Sequence, residues 1–165
     1  MLMLSELLTP ADCKSCRLCC SFDSYDLWET PVIDDPTRDL IQTKFNPAQP
    51  FIDCGDYALL RLTREADEDL YYCSMLDRAT GCKMGADKPF DCRIWPLRVM
   101  EFESRRVIVL SPVCPVMITR PLDKLSALAR RLAPMIFEQA DKTPPIVKKY
   151  LPQYPILFVE CGNHR

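Results

Sequence analysis

The sequence predicts a small α+β domain, and three observations lead to that prediction. The chain has 165 residues, 48% of them hydrophobic, so it is long enough to bury one core and short enough to be one domain. Short apolar segments have the composition of paired strands, and apolar residues after Pro121 recur at helical spacing. We therefore expect a single domain over residues 1–165, in which antiparallel hairpins and a few helices pack around a cysteine-rich metal-binding loop region.

The first half of the chain is predicted to contain one helix and one hairpin. Residues 10–34 are expected to be irregular, because proline, aspartate and serine interrupt any periodic pattern. A short helix is expected from Pro36 to Phe45, with Pro36 at its first position. Segments 57–63 and 70–76 have the composition of two strands joined by an acidic turn.

The second half is predicted to contain a further hairpin and a longer helix. Strand 97–102 is expected to pair with strand 106–111 across the three residues between them. The helical segment is assigned to 121–150, and Pro134 is expected to kink or end the helix. The tail is predicted to form a short helix followed by an apolar strand at 156–159.

Charge and hydropathy exclude two classes of partner. The chain carries 21 basic and 23 acidic residues, and a net charge of −2 creates no long-range field to recruit a nucleic acid. No stretch approaches the ~20 apolar residues of a membrane span. The apolar N-terminal segment has no basic flank of the kind that precedes a signal sequence. We therefore expect a cytoplasmic protein that binds neither nucleic acid nor membrane.

Ten cysteines dominate the candidate functional residues. In the cytoplasm thiols stay reduced, so a dense cysteine pattern favours metal binding over disulfides. The first four cysteines, in the pattern CxxCxxCC, are Cys13, Cys16, Cys19 and Cys20. Two-residue spacers allow neighbouring sulfurs to face one zinc ion at ~2.3 Å, whereas three such cysteines with a remote fourth are also typical of an iron–sulfur cube. The spacing alone fits both a zinc site and an iron–sulfur cluster.

A second group of cysteines follows about fifty residues later. It comprises Cys73, Cys82, Cys92 and Cys114, so the motif core extends over residues 13–114. Eight thiolates can fill two four-ligand sites, or one cluster with spare or redox-active thiols. Outside this group, Cys54 is predicted to be a loop residue, and Cys161 with His164 a frayed tail.

The order of these elements resembles a known family. CxxCxxCC is followed by a single cysteine, by Gly-Cys, and by a segment that reads KPFDCRIWP here, and this arrangement is similar to the CxxCxxCC family of zinc- or iron-chelating proteins over residues 13–96. The family commonly has arginine where this chain has Lys88, so a bidentate arginine role is not expected there. The resemblance implies metal binding at Cys13, Cys16, Cys19, Cys20, Cys73, Cys82 and Cys92.

The expected cofactor is a 4Fe-4S cluster or zinc. Three evenly spaced cysteines with remote ones favour the cube, because tetrahedral zinc more often uses two pairs. Arg93 is expected either to contact the cofactor by hydrogen bonding to the excess negative charge on sulfur or to form a surface ion pair. We expect a redox, sensing or accessory role with another protein as partner. A structural zinc module and a subunit of a cluster-dependent enzyme stay open as alternatives, although a single histidine near the C-terminus leaves little scope for imidazole chemistry.

Overall fold

The fold is α+β, as the sequence predicts. The computed structural model describes residues 3–23 and 27–161, and these ranges contain both helices and short strands. Its α-helices are α1 (Pro10–Cys16), α2 (Asp35–Leu40), α3 (Phe90–Ile94) and α4 (Leu122–Lys142). Its strands are β1 (Ser21–Phe22), β2 (Val32–Ile33), β3 (Phe51–Asp53), β4 (Ala58–Leu60), β5 (Leu62–Thr63), β6 (Tyr71–Cys73), β7 (Leu76–Asp77), β8 (Gly81–Cys82), β9 (Leu97–Phe102), β10 (Arg105–Leu110), β11 (Val147–Lys149) and β12 (Ile156–Val159).

The chain forms two compact units, each described here by itself. The cysteine unit consists of residues 10–93, and the sheet unit of residues 1–9 with 94–165. The single domain over residues 1–165 stays a prediction.

Three small antiparallel sheets form the cysteine unit. Their strand orders are β1-β6-β5, β2-β4-β3 and β7-β8. The predicted hairpin between 57–63 and 70–76 is present only where β5 pairs with β6. The predicted first strand is divided because the amide of Arg61 bonds to the carbonyl of Pro50 at 3.4 Å, which leaves β4 in a different sheet from β5.

A buried cluster holds these sheets together. It consists of seven buried residues that lie outside α1 and α3: Ile33, Ile41, Ala58, Leu60, Cys73, Met75 and Met84. Cys20 and Cys82 pack against this cluster while remaining partly accessible. The core therefore brings cysteines from distant parts of the sequence to one region of the unit.

Two α-helices, α1 and α2, lie in the first part of the cysteine unit, and α1 was not expected. Residues 10–34 were predicted to be irregular, and the prediction is wrong for α1 and for the short strands β1 and β2. Proline fits the first turn of a helix, where its missing N–H has no intrahelical partner, so Pro10 begins α1 rather than breaking it. The other helix, α2, begins one residue before the predicted start, and the Asp34 carboxylate caps it by accepting a hydrogen bond from the Thr37 amide at 3.0 Å. A π-helical turn continues α2 to Phe45.

A four-stranded sheet in the order β11-β9-β10-β12 forms the sheet unit, and α4 packs against β9, β10 and β12. The predicted hairpin of β9 and β10 is confirmed. Its turn contains two residues rather than three, because Arg105 already pairs with Phe102. The two turn residues, Glu103 and Ser104, have φ values of 49° and 61°, as a tight turn between twisted antiparallel strands requires.

Pro134 was expected to kink or end the helix; α4 runs through this residue and does not end there, so that part of the prediction is wrong, and the kink stays a prediction. The buried stripe of α4 continues on both sides of the proline, with Ala133 before it and Ile136 after it. Pro134 itself lies on the exposed face, where water can satisfy the carbonyl that loses its amide partner.

The C-terminal part of the sheet unit is more strand-like than predicted. The segment 121–150 contains α4 and then β11, which pairs in parallel with β9. The short helix expected in the tail is a single 3₁₀ turn at Pro144–Ile146, and the strand expected at 156–159 is confirmed. Within the described ranges, none of the helices combines the length and apolar character needed to cross a bilayer.

Candidate metal centre

The CxxCxxCC segment folds as a helix followed by a tight turn. Cys13 and Cys16 lie one helical turn apart on α1, so they occupy the same side of that helix. Arg17 then adopts a left-handed conformation with φ 57°, and its Nε donates to the carbonyl of Lys14 at 3.1 Å. The reversal places Cys19 and Cys20 in the next 3₁₀ turn. Four cysteines thus lie on two short elements joined by one residue.

Helix α1 packs against β8, which contains Cys82. This contact brings the first cysteine group to the second. The sulfur atoms of Cys19 and Cys20 lie 3.9 Å apart. Four sulfurs placed ~2.3 Å from one zinc ion would be separated by about 3.8 Å, so this pair has the spacing of two ligands on a single ion.

Cys20 connects the two cysteine groups directly. Strands β1 and β6 pair with Ser21 opposite Tyr72; Cys20 directly precedes β1, and Cys73 is the last residue of β6. The hydrogen bond with the Cys19 thiol lowers the pKa of Cys20, but the hydrogen bond with Cys73, burial, and the charges of Cys73 and Cys82 raise it to about 12. Cys73 is 8% exposed, so this part of the group is largely shielded from water.

Cys92 joins the same group from α3. Burial raises its pKa well above the ordinary thiol value, and the charges of Cys20, Cys19, Asp91 and Cys82 add to that shift. The preceding residue fixes α3 in place, because the Asp91 carboxylate accepts a hydrogen bond from the amide of Val32 at 3.1 Å. The pKa of Cys19 is raised as well, first by its hydrogen bond with Cys20 and then by burial.

One lysine interacts electrostatically with these sulfurs. Burial acts to lower the pKa of Lys88, but the charges of four cysteines outweigh burial and raise it; these are Cys82, Cys19, Cys92 and Cys13. Lys88 is therefore the cation that the cysteine unit supplies to its own thiols. The side chain is half-buried, which keeps its charge partly out of bulk water.

Six of the eight predicted ligands interact with one another or with Lys88. We call them the thiol cluster: Cys13, Cys19, Cys20, Cys73, Cys82 and Cys92. Cys16 lies on α1 one turn from Cys13. Cys114 belongs to the sheet unit, where it is 3% exposed. None of the ten cysteines, all of which lie within the described ranges, is in a disulfide.

The remaining candidates lie elsewhere. Cys54 is exposed between β3 and β4, and Cys161 is exposed at the end of the described chain. His164 lies outside the described residues. Within residues 3–23 and 27–161, no three side chains of Cys, His, Asp or Glu are already close enough together to hold a metal ion. The ligand set therefore stays a prediction.

Arg93, the predicted cofactor contact, is exposed, and its guanidinium lies over the ring of Phe90 at 5.5 Å from the centroid. The cation that does interact with the thiols is Lys88, which the sequence analysis did not choose. Its position directly before Pro89, in the motif on which the family resemblance rests, was the available signal. Comparison with family models, curated proteins and solved structures yields no match to this chain.

Proposed function

We propose that this protein binds a metal through thiolates and that the thiol cluster is the core of the site. One observation carries the proposal: thiols from α1, the following turn, β6, β8 and α3 interact electrostatically in one region of the cysteine unit. Crowded thiols resist ionisation because each thiolate repels the next. A bound cation removes that repulsion, and thiolates are the ligands that zinc, iron and copper(I) favour. Cys16 and Cys114 stay further candidate ligands.

The first candidate cofactor is an iron–sulfur cluster with a redox, sensing or accessory role, for which a 4Fe-4S cube fits the number of sulfurs. The apolar surroundings of Cys20 and Cys82 support this candidate. Cys20 and Cys82 pack at the edge of the apolar core together with Phe22, Phe45 and Leu76, and burial of this kind helps to set the potential of a cluster. A partner protein and a cytoplasmic location belong to this proposal.

The second candidate is structural zinc, and a different observation favours it. In a cube each cysteine binds its own iron, which separates the cysteine sulfurs, whereas the 3.9 Å between Cys19 and Cys20 suits two ligands on one ion. Here metal coordination would contribute folding free energy, and a surface for another protein would be the function. Lys88 offsets excess negative charge in either case.

Paired cysteine variants test the proposal. Cys82→Ser should lower the metal bound per chain after anaerobic purification, because the substitution removes one sulfur from the cluster, and Cys16→Ser should do the same. Cys54→Ser is the matched control, because Cys54 is an exposed turn residue of the same unit. Far-ultraviolet circular dichroism checks that each variant is folded. Equal metal retention in Cys82→Ser and Cys54→Ser would overturn the ligand assignment.

A further inference from the structure

A cavity with charged walls lies in the sheet unit, at the C-terminal end of α4. Its volume is about 870 Å³, within the roughly 300–1,000 Å³ of small-molecule sites, and none of its lining residues belongs to the thiol cluster. Three carboxylates and three cationic side chains line it: Glu101, Glu103 and Asp141, with Arg106, Lys148 and Lys149. Equal numbers of opposite charges favour neither a simple cation nor a simple anion as the ligand.

Arg106 already binds groups of the protein. Its Nε and Nη2 donate to the carboxylate of Glu160 at 2.6 and 2.5 Å, and its Nη1 donates to Asp141 at 2.6 Å. The guanidinium also lies over the ring of Phe137, 5.1 Å from the centroid. Arg106 and Asp141 therefore form a fixed wall of the cavity and are not the groups that meet a ligand first.

Glu101 and Lys149 are the charged side chains that the sheet leaves open. Glu101 on β9 is the cross-strand partner of Arg106 on β10 and of Lys149 on β11. Arg106 donates to Glu160 and Asp141 instead, and within the described residues neither Glu101 nor Lys149 is in an ion pair. A carboxylate and an ammonium group thus extend from neighbouring positions of two strands that are about 4.8 Å apart, without neutralising each other.

We propose that this cavity binds a free α-amino acid with an apolar side chain. Such a ligand has its ammonium and carboxylate groups on one carbon, so neighbouring strand positions can hold both. Glu101 binds the ammonium group, which the negative end of the α4 dipole also favours, and Lys149 binds the carboxylate. The ligand side chain packs against the apolar part of the wall, formed by Ala140, Pro144 and Val147.

Leucine and two analogues that each lack one charge test the proposal on the full-length protein. Isoamylamine is leucine without its carboxylate, and isocaproate is leucine without its ammonium group. Each is titrated into isotope-labelled protein while NMR spectroscopy follows the backbone amides of β9 and β11. Leucine should shift these amides saturably, and each analogue should bind about tenfold more weakly or worse, because one charge-assisted hydrogen bond is lost. Absence of a saturable shift with leucine, or equally tight binding of either analogue, overturns the proposal.

Two variants assign the charges to their partners. Glu101→Gln and Lys149→Gln change exposed residues, so circular dichroism should show an unaltered fold, and each variant should bind leucine about tenfold more weakly. Lys124→Gln is the matched control, because Lys124 is an exposed lysine of α4 that does not line the cavity. Full affinity in Lys149→Gln, or an equal loss in Lys124→Gln, contradicts the assignment. The titration requires no metal, so its result stands apart from that of the metal proposal.

Discussion

Replacing Asp91 tests how the fold holds the candidate centre together. The Asp91 carboxylate accepts a hydrogen bond from the Val32 amide at 3.1 Å and joins residues 59 positions apart in the sequence. Both ends are shielded, because Asp91 is 9% exposed and Val32 is 4% exposed. Cys92 follows Asp91 directly on α3, so the bond also fixes the position of one sulfur of the thiol cluster.

The cost of removing this bond can be worked out from its burial. Asp91→Ala leaves the Val32 amide without this acceptor in a place that water reaches poorly. A hydrogen bond to a charged group contributes about 1.5–3 kcal/mol, and an unsatisfied buried donor costs a similar amount. We expect the free energy of unfolding to fall by about 2–3 kcal/mol, which lowers the melting temperature of a chain of this size by roughly 4–12 °C. Asp91→Asn, which keeps an oxygen acceptor, should lose about half as much.

Urea denaturation of the metal-free protein, followed by circular dichroism, measures the change. Asp67→Ala is the control, because Asp67 is an exposed aspartate of the same unit and its loss should stay within about 0.5 kcal/mol. Cobalt titration of the same variants reports whether loss of the hydrogen bond that holds α3 also weakens metal binding. The reasoning is refuted if Asp91→Ala and Asp67→Ala unfold at the same urea concentration.

Three further predictions concern charge, turn geometry and pH. Lys88→Gln should weaken cobalt binding about tenfold, because a half-buried cation near several thiolates contributes on the order of 1–2 kcal/mol after screening. Lys88→Arg keeps the positive charge and should restore the affinity. Equal cobalt affinities of the Gln and Arg variants would contradict this role of the charge. Ser104→Gly should raise the free energy of unfolding by about 1 kcal/mol, since glycine tolerates the φ of 61° in the hairpin turn, and a lower melting temperature would count against that turn. Burial raises the pKa of Cys92, and the environment of Cys20 raises its pKa to about 12, so the unfolded chain releases these protons first, from about pH 8.5 upward. The metal-free protein should therefore lose stability above that pH, and urea titrations that show greater stability at pH 10 than at pH 8 would disprove the assignment.

Local patterns predicted the elements whose signals are complete within a few residues. The hairpin of β9 and β10 follows from two apolar segments with a short polar connection, and α2 from a proline near the helix start. The errors arose where one residue permits two structures. Pro10 was taken as a breaker although proline suits the first turn of a helix, and Pro134 was expected to kink or end α4, which continues through it with the proline on its exposed face.

The candidate site, too, could be predicted from the sequence only where its residues are close together in the chain. The CxxCxxCC spacing placed four cysteines close together, as α1 and its following turn do. The interaction of Cys20 with Cys73 depends on the pairing of β1 with β6, which joins segments about fifty residues apart and is not encoded in any local period. The interaction of Lys88 with the thiols likewise depends on how the cysteine unit folds; the motif before Pro89 marked this lysine as a cation but did not show that it, rather than Arg93, would interact with them.

Determination of iron, zinc and acid-labile sulfide on one anaerobically purified sample tests the central claim most directly. We predict a metal-to-chain ratio close to a whole number. Iron with matching sulfide and visible absorption that bleaches on reduction would identify a cluster, and zinc without sulfide would identify the structural site. A folded protein that holds none of the three, and takes up neither zinc nor iron with sulfide on reconstitution, would contradict the account.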